Sequence, residues 1–384
     1  MSNALMPNKM RVALIHRLFR KEGAIPLTVK MMAHHLSLKG IENIVFSSDV
    51  EDGAKEGLTT FVRVFTKRIK LFDLGGWLFA GGLFFKLISV HKERKIDVLQ
   101  VHDSTAFYAA WFFSRIYGVP VIIFMHTCIF EPGKKGMYPP TLDLMYRLNT
   151  RFYMRHADRI ACITKDLTDW AQKLGADPAS VRLIHEPVDL QLFKPQGEKL
   201  RGGKRLLFVG RVSSPEKGAK YLLEAMARIV KDFPEARLTV IGEASNSPAL
   251  LELVEKLGIK EVVDFKGPVP HKDLAPYYAG ADVLIIPSLA EGLPKVLPEA
   301  LACETPVVGT RVGGIPEVVR DGYNGLLVDP GSAEQIAAAV IKILSNEDLL
   351  TALAKNARPS VEARSWEANI DKYIEMYKEL TIND

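Results

Sequence analysis

The sequence predicts an α/β protein of two domains, each a parallel β-sheet covered by helices. Three observations carry that prediction. The chain has 384 residues, and at roughly 100–200 residues per domain two domains are the natural division. Short apolar runs alternate with helix-period segments along the length, which is the pattern of βαβ units. Near residue 185 the alternation breaks: residues 185–203 hold Pro187, Pro195, Gly197, Gly202 and Gly203 among mixed charges, a linker by composition.

The elements follow in order. Strand candidates in the first half are Arg11–His16, Asn43–Phe46, Thr60–Phe65, Val98–His102, Val121–Met125, Arg159–Ile163 and Val181–Ile184. Helical periods lie between them, as in Leu27–Leu38. After the linker come strands at Arg205–Val209, Arg237–Ile241, Val262–Phe265, Val283–Ile286, Pro306–Val308 and Gly325–Val328. Beyond Gly331 the chain reads as helix, and Trp366, Ile370, Tyr373, Ile374, Tyr377 and Leu380 form one apolar stripe. The expected division is 1–197, 198–364 and a final helix over 365–384. Residues 1–6, with Ser2-Asn3-Ala4, read as a tag and are set aside.

Composition narrows the class. The chain is 48% hydrophobic and 25% charged, which is ordinary globular usage and excludes a disordered or fibrous protein. Cys128, Cys162 and Cys303 are far apart with no CxxC pair, so a disulfide framework or structural zinc is not expected, and reduced thiols in the cytoplasm are. The longest apolar stretch, Leu71–Val90, contains Asp73, Lys86 and four glycines, and reads as a packed surface helix with a membrane-touching face as its alternative. Residues 1–197 carry 27 Lys/Arg against 18 Asp/Glu, while the remainder carries 23 against 27. A basic first half, with Arg63, Lys67, Arg68 and Lys70 before the apolar stretch, suits an anionic membrane or acidic acceptor, or is simply solvated. The expected location is cytoplasmic, with peripheral contact at the inner face of the membrane as the variant this segment raises.

Ligands of open α/β sheets bind beyond the carboxyl ends of the strands, so the loops there are where chemistry is sought. Pro287-Ser288-Leu289-Ala290-Glu291 opens the loop after Val283–Ile286, and Glu299 falls on the helix that follows. The spacing by itself is common, but a loop carboxylate and a helix carboxylate at one strand end can share a pocket and accept hydrogen bonds from vicinal hydroxyls. A second stretch, Gly210-Arg211 to Lys217-Gly218, sets two cations beside a helix start, which suits a diphosphate. Taken alone, an Arg and a Lys on such a loop are usually just solvated. The third, Gly313-Gly314-Ile315-Pro316-Glu317 followed by Asn324-Gly325-Leu326, is explained equally by turn chemistry.

In order and spacing these stretches, with Thr305-Pro306-Val307-Val308 between them, resemble the retaining GT-B glycosyltransferases of family 4. The resemblance is specific over about residues 205–330. It is looser in the first half, through Asp97, Val101-His102, Pro120 to His126, and Val188-Asp189 with Phe193 and Pro195. It implies two Rossmann-like domains facing each other across a cleft, with the final helix crossing back to the N-terminal domain. It implies a hexosyltransferase that moves sugar from a UDP- or GDP-sugar to a lipid-linked, glycan or small-molecule acceptor, with no metal or other cofactor. Arg211 and Lys217 would hold the diphosphate, Glu299 the ribose, and Glu291 the sugar hydroxyls. Backbone amides of Gly292, Leu293, Lys295 and Val296 would line the sugar and phosphate. His126 would stand beside the sugar, and Gly23 and Ala24 would form the loop facing acceptor and phosphate.

The chain departs from the family pattern at four places. Ala24 replaces the second glycine of the first loop, and Pro294 replaces a glycine and removes an N–H donor. Glu304 replaces a glycine, and Glu186 an asparagine; these last two are expected to lie outside the site. Other functions are weighed against this one. A nicotinamide oxidoreductase needs GxGxxG after the first strand, and Arg17 to Gly23 contains none. A non-catalytic nucleotide-sugar-binding protein and an epimerase of the same architecture remain as alternatives. His34-His35 and His102-Asp103 lack a third metal ligand at suitable spacing.

Overall fold

The computed structural model describes residues 10–17, 23–66, 74–126, 140–196, 203–243 and 247–381. Cys128, Lys67, Arg68, Lys70 and residues 18–22 of the first loop lie outside these. By contacts the chain forms two units, one of residues 1–185 with 369–384, the other of residues 186–368.

The first unit is built in the order β1 (Arg11–Ile15), α1 (Ala24–Leu38), β2 (Glu42–Ser47), β3 (Lys55–Glu56), β4 (Thr59–Arg63), α2 (Leu74–Glu93), β5 (Val98–Val101), α3 (Ser104–Tyr117), β6 (Val121–Met125), α4 (Pro140–His156), β7 (Arg159–Cys162), α5 (Lys165–Lys173) and β8 (Val181–Leu183). Its sheet runs β3-β4-β2-β1-β5-β6-β7-β8. All pairings are parallel except β3–β4. The strands are continuous apolar runs because helices bury both faces. The short β3 is polar and exposed, so no hydrophobic pattern announces it in the sequence.

The second unit holds β9 (Arg205–Val209), α6 (Ala219–Asp232), β10 (Arg237–Ile241), α7 (Pro248–Lys256), β11 (Val263–Gly267), α8 (Ala275–Gly280), β12 (Val283–Ile286), α9 (Val296–Ala302), β13 (Val307–Thr310), α10 (Ile315–Val318), β14 (Gly325–Val328), α11 (Ala333–Leu344) and α12 (Glu347–Ala357), and the chain ends on α13 (Trp366–Thr381), which begins in this unit. Its parallel sheet runs β11-β10-β9-β12-β13-β14. Strand order reverses between β1 and β5 in the first sheet and between β9 and β12 in the second. At such a switch point the two strand-end loops diverge and leave a crevice for a ligand.

One device recurs at the other end of these strands. Asp97, Asp158 and Asp282 each directly precede a strand, and each accepts a hydrogen bond from the first amide of the neighbouring strand: Arg11 at 2.6 Å, Val121 at 2.7 Å and Arg205 at 2.8 Å. Each satisfies a donor that has no ladder partner at the sheet margin.

Two boundaries differ from the sequence reading. Residues 186–193 fold with the second unit, because Val188 bridges Ser365 and Arg358 donates to the carbonyls of Phe193 and Leu190. From Asn369 onward α13 belongs to the first unit, where Tyr373 stacks on Phe124 and Asp371 pairs with Lys39 at 2.8 Å. Glu304 sits at φ 59°, a left-handed conformation that a glycine adopts without strain. Within the apolar stretch, α2 buries Phe79, Leu83 and Leu87 on one face. Among the described residues, no helix is long and apolar enough to cross a membrane.

Candidate functional site

In the second unit the three sequence stretches meet at the switch point. After β9 the chain makes one tight turn, Pro215–Lys217, and leaves it through Gly218 at φ 69°. A Cβ on Gly218 would lie 2.0 Å from the Pro287 carbonyl oxygen, so only glycine lets this loop press backbone to backbone on the loop after β12. The contact is closed by the Leu289 amide donating to the Glu216 carbonyl at 2.7 Å. The glycine loop after β13 docks from the other side. Gly313 has φ 50°, and its Cβ would stand 2.1 Å from the Glu291 carbonyl oxygen, while the Gly314 amide donates to Gly292 at 2.6 Å. Gly313→Ala therefore combines a strained φ with a backbone clash, and is expected to destabilise the unit by about 3 kcal/mol. A urea melt of the variant within about 0.5 kcal/mol of wild type would contradict this packing.

That docking brings Lys217 and Glu291 together. The Lys217 ammonium bonds Glu291 Oε1, and the Ser288 hydroxyl donates to the same oxygen at 3.0 Å. Lys217 is 21% exposed and Glu291 11%. Arg211 remains at the surface, 65% exposed, with Nη2 3.9 Å from Glu216 Oε1. The Ser214 hydroxyl, then Arg211 and Lys217, hold the Glu216 carboxyl below its usual range. Gly292, Leu293, Lys295 and Val296 lead from Glu291 into α9.

Glu299, on α9, is nearly buried. Its Oε1 accepts from His271 Nε2 at 2.8 Å and its Oε2 from the Tyr278 hydroxyl at 2.9 Å. Each carboxylate oxygen keeps a further lone pair for a ligand hydroxyl. Burial, and then the Glu299 charge, push the Tyr278 phenol well above its usual pKa, so it stays a donor. Neither His271 nor Tyr278 belongs to a motif, and they stand 28 and 21 residues from Glu299. Only the fold places them there.

Glu186 requires a correction. The sequence reading set it outside the site, yet its buried carboxylate pairs with Lys295 Nζ at 2.5 Å, immediately before α9. A turn role is shown for Asn324: it is fully buried, accepting from the Arg320 amide at 2.8 Å and donating to Val318 and Ser360 at 2.9 Å.

His126, Gly23 and Ala24 lie in the first unit. Gly23 caps α1 in an extended conformation, φ −149°, and Ala24 begins that helix. His126 follows β6, and its Nε2 is 2.9 Å from His102 Nδ1. His102, after β5 and fully packed, meets Gln100 Nε2 at 2.9 Å. Burial, then the neighbouring His126 and His16, push His102 well below the ordinary histidine pKa of 6.5. The unfolded chain thus takes a proton near pH 6.5 that the folded unit refuses. Stability is expected to fall as pH drops below that value, with a slope of about 1.4 kcal/mol per pH unit from this residue. Denaturation between about pH 7 and pH 5 checks it: His102→Asn should flatten the slope, and an unchanged slope contradicts the assignment. Among the described residues, no cluster of three or more His, Cys, Asp or Glu could hold a metal ion.

The chain resembles known proteins in sequence and in fold. The model of Glycosyl transferases group 1 matches residues 191–360, and that of Glycosyltransferase Family 4 matches residues 27–192. A D-inositol 3-phosphate glycosyltransferase of Thermomonospora curvata is 31% identical over 314 residues, which cover 75% of this chain and 73% of the relative. A sucrose-phosphate synthase from Thermosynechococcus elongatus superposes with TM-score 0.84 at 21% identity, covering 98% of this chain and all of that one. The Anabaena protein HepE, solved with UDP-glucose, superposes with TM-score 0.75 at 18% identity over 97% of this chain and 98% of its own. On the strength of the family models and the inositol-phosphate relative, the chain belongs to the family 4 glycosyltransferases of GT-B fold.

Proposed function

We propose that this glycosyltransferase takes its sugar from a UDP- or GDP-sugar and transfers it with retention of anomeric configuration, without a metal. The observation that carries the reading is the Lys217–Glu291 pair at the switch point. Donor binding would replace that pair: Lys217, with Arg211, turns to the diphosphate, and Glu291 is released to accept from sugar hydroxyls. Glu299, held by His271 and Tyr278, takes the ribose. The amides of Gly292, Leu293, Lys295 and Val296 line the phosphate and sugar. His126 stands at the sugar, and Gly23 and Ala24 at the acceptor side.

In the transfer the bond from the anomeric carbon to the phosphate oxygen breaks. The acceptor oxygen bonds to that carbon on the same face, its proton passing to the departing phosphate. Fixed cations do most where the leaving charge grows, because they need not reorganise as it forms. HepE, whose structure holds UDP-glucose, supports a nucleotide-sugar donor. The inositol-phosphate relative supports a hydroxyl-rich acceptor.

A lipid-linked acceptor, met by peripheral contact with an anionic membrane at its cytoplasmic face, is favoured by one surface. Helices α2 and α3 pack through Trp77–Tyr108 and His91–Phe113 ring contacts, yet leave Trp77, Phe85, Phe112 and Ile116 at least half exposed. Soluble surfaces rarely gather so many large apolar side chains without a partner.

A thermal-shift panel of nucleotide sugars and free nucleotides with EDTA present tests the donor reading. A ligand at 100 times its Kd adds about 2.7 kcal/mol, a shift of several degrees. A rise with a UDP or GDP sugar names the donor; a well-formed melt that no nucleotide moves overturns the site.

A further inference from the structure

Three buried groups in the first unit form a hydrogen-bonded line that starts on the last helix and ends on the partly buried His126. The Tyr377 hydroxyl, on α13, donates to Gln100 Oε1 at 2.6 Å. Gln100 Nε2 meets His102 Nε2 at 2.9 Å, and His102 Nδ1 meets His126 Nε2 at 2.9 Å. Tyr377 and Gln100 are completely buried, and His102 is 6% exposed.

The direction of every bond follows from the amide. Gln100 Nε2 also lies 3.0 Å from Met32 Sδ. An N–H suits that weak sulfur acceptor and a carbonyl oxygen does not, so the amide is oriented with its oxygen toward Tyr377. An amide NH₂ only donates, so His102 Nε2 must accept. The one proton of neutral His102 is then on Nδ1 and is donated to His126 Nε2. His126 then accepts at Nε2, and as a neutral imidazole it would carry its own proton on Nδ1.

We propose that Tyr377 and Gln100 are positioning residues which, through His102, fix His126 as the Nδ1–H tautomer, so that it serves its ligand as a hydrogen-bond donor and not as a base. Burial supports this by keeping His102 neutral. A donor suits a sugar hydroxyl or a phosphate oxygen. The role at the sugar rests on the site reading above; the tautomer does not. The line gives the Tyr377 hydroxyl a role: a phenylalanine would fill the space but leave the buried Gln100 oxygen without this donor and the amide held less firmly.

The test is side-chain ¹H–¹⁵N correlation spectroscopy on the full chain with labelled histidine. Wild type is expected to show His102 and His126 each as a single Nδ1–H tautomer. Gln100→Leu and Tyr377→Phe should turn His126 into a mixture and lower kcat about tenfold, with little change in KM for the donor. An Nε2–H tautomer at His126 in wild type overturns the relay, and that measurement needs no variant to fold. A mixed tautomer with unchanged kcat removes the positioning role. Wild-type turnover in His126→Ala would count against the site reading itself, while leaving the spectroscopic assignment standing.

Discussion

Lys217→Ala and Glu291→Ala are each expected to lower kcat by about 10²–10³-fold while the second unit melts near its wild-type temperature. Lys217 is the less exposed of the two cations, 21% against 65% for Arg211, and on the proposed reading its removal leaves the diphosphate's growing charge to Arg211. Glu291 is held by both Lys217 and Ser288, so on the proposed reading Ser288 still orients it once Lys217 turns to the diphosphate. The pair is partly exposed, and its contribution to stability is accordingly modest. The two variants should differ in one respect. Glu291→Ala frees Lys217 to grip free nucleotide diphosphate more tightly, whereas Lys217→Ala weakens that grip. Steady-state kinetics with product inhibition by the diphosphate separates them. Near-normal turnover in both would remove these residues from the chemistry.

Glu186→Ala is expected to cost about 3 kcal/mol. It strips the carboxylate from a lysine that is only 15% exposed, and a buried cation left without its partner is strongly unfavourable. The residual exposure of Lys295 keeps the loss at the low end of that range. Because Lys295 directly precedes α9, the change should also raise the donor KM. Pairing Glu186→Leu with Lys295→Met removes both charges and should restore most of the stability. Chemical denaturation of the single and double variants is the check. A double variant no more stable than Glu186→Ala would show that the ion pair is not what holds this segment.

Much of this architecture is legible in the chain itself. The parallel sheets follow from apolar runs buried on both faces, and the strand centres from Val, Ile and Leu, whose apolarity and β preference are local properties. The site loops are legible for a related reason: Gly218 and Gly313 carry backbone conformations and close approaches that other residues cannot, so function leaves a local mark. The short β3 left none, since two exposed polar residues pair only because β4 presents an edge to them.

The partners around the site are a different matter. His271 and Tyr278 on Glu299, Glu186 on Lys295, and Tyr377 on Gln100 join residues 21 to 277 positions apart. No periodicity or motif encodes such pairs, because each residue's local conformation is satisfied whether or not the partner arrives. What the sequence by itself determined was the class of fold and the strand-end loops with their candidate site residues, through patterns a few residues long. What only the tertiary structure decided was the orientation and pairing of those side chains, because a hydrogen bond's direction is set by the group across the gap, and the fold alone puts that group there.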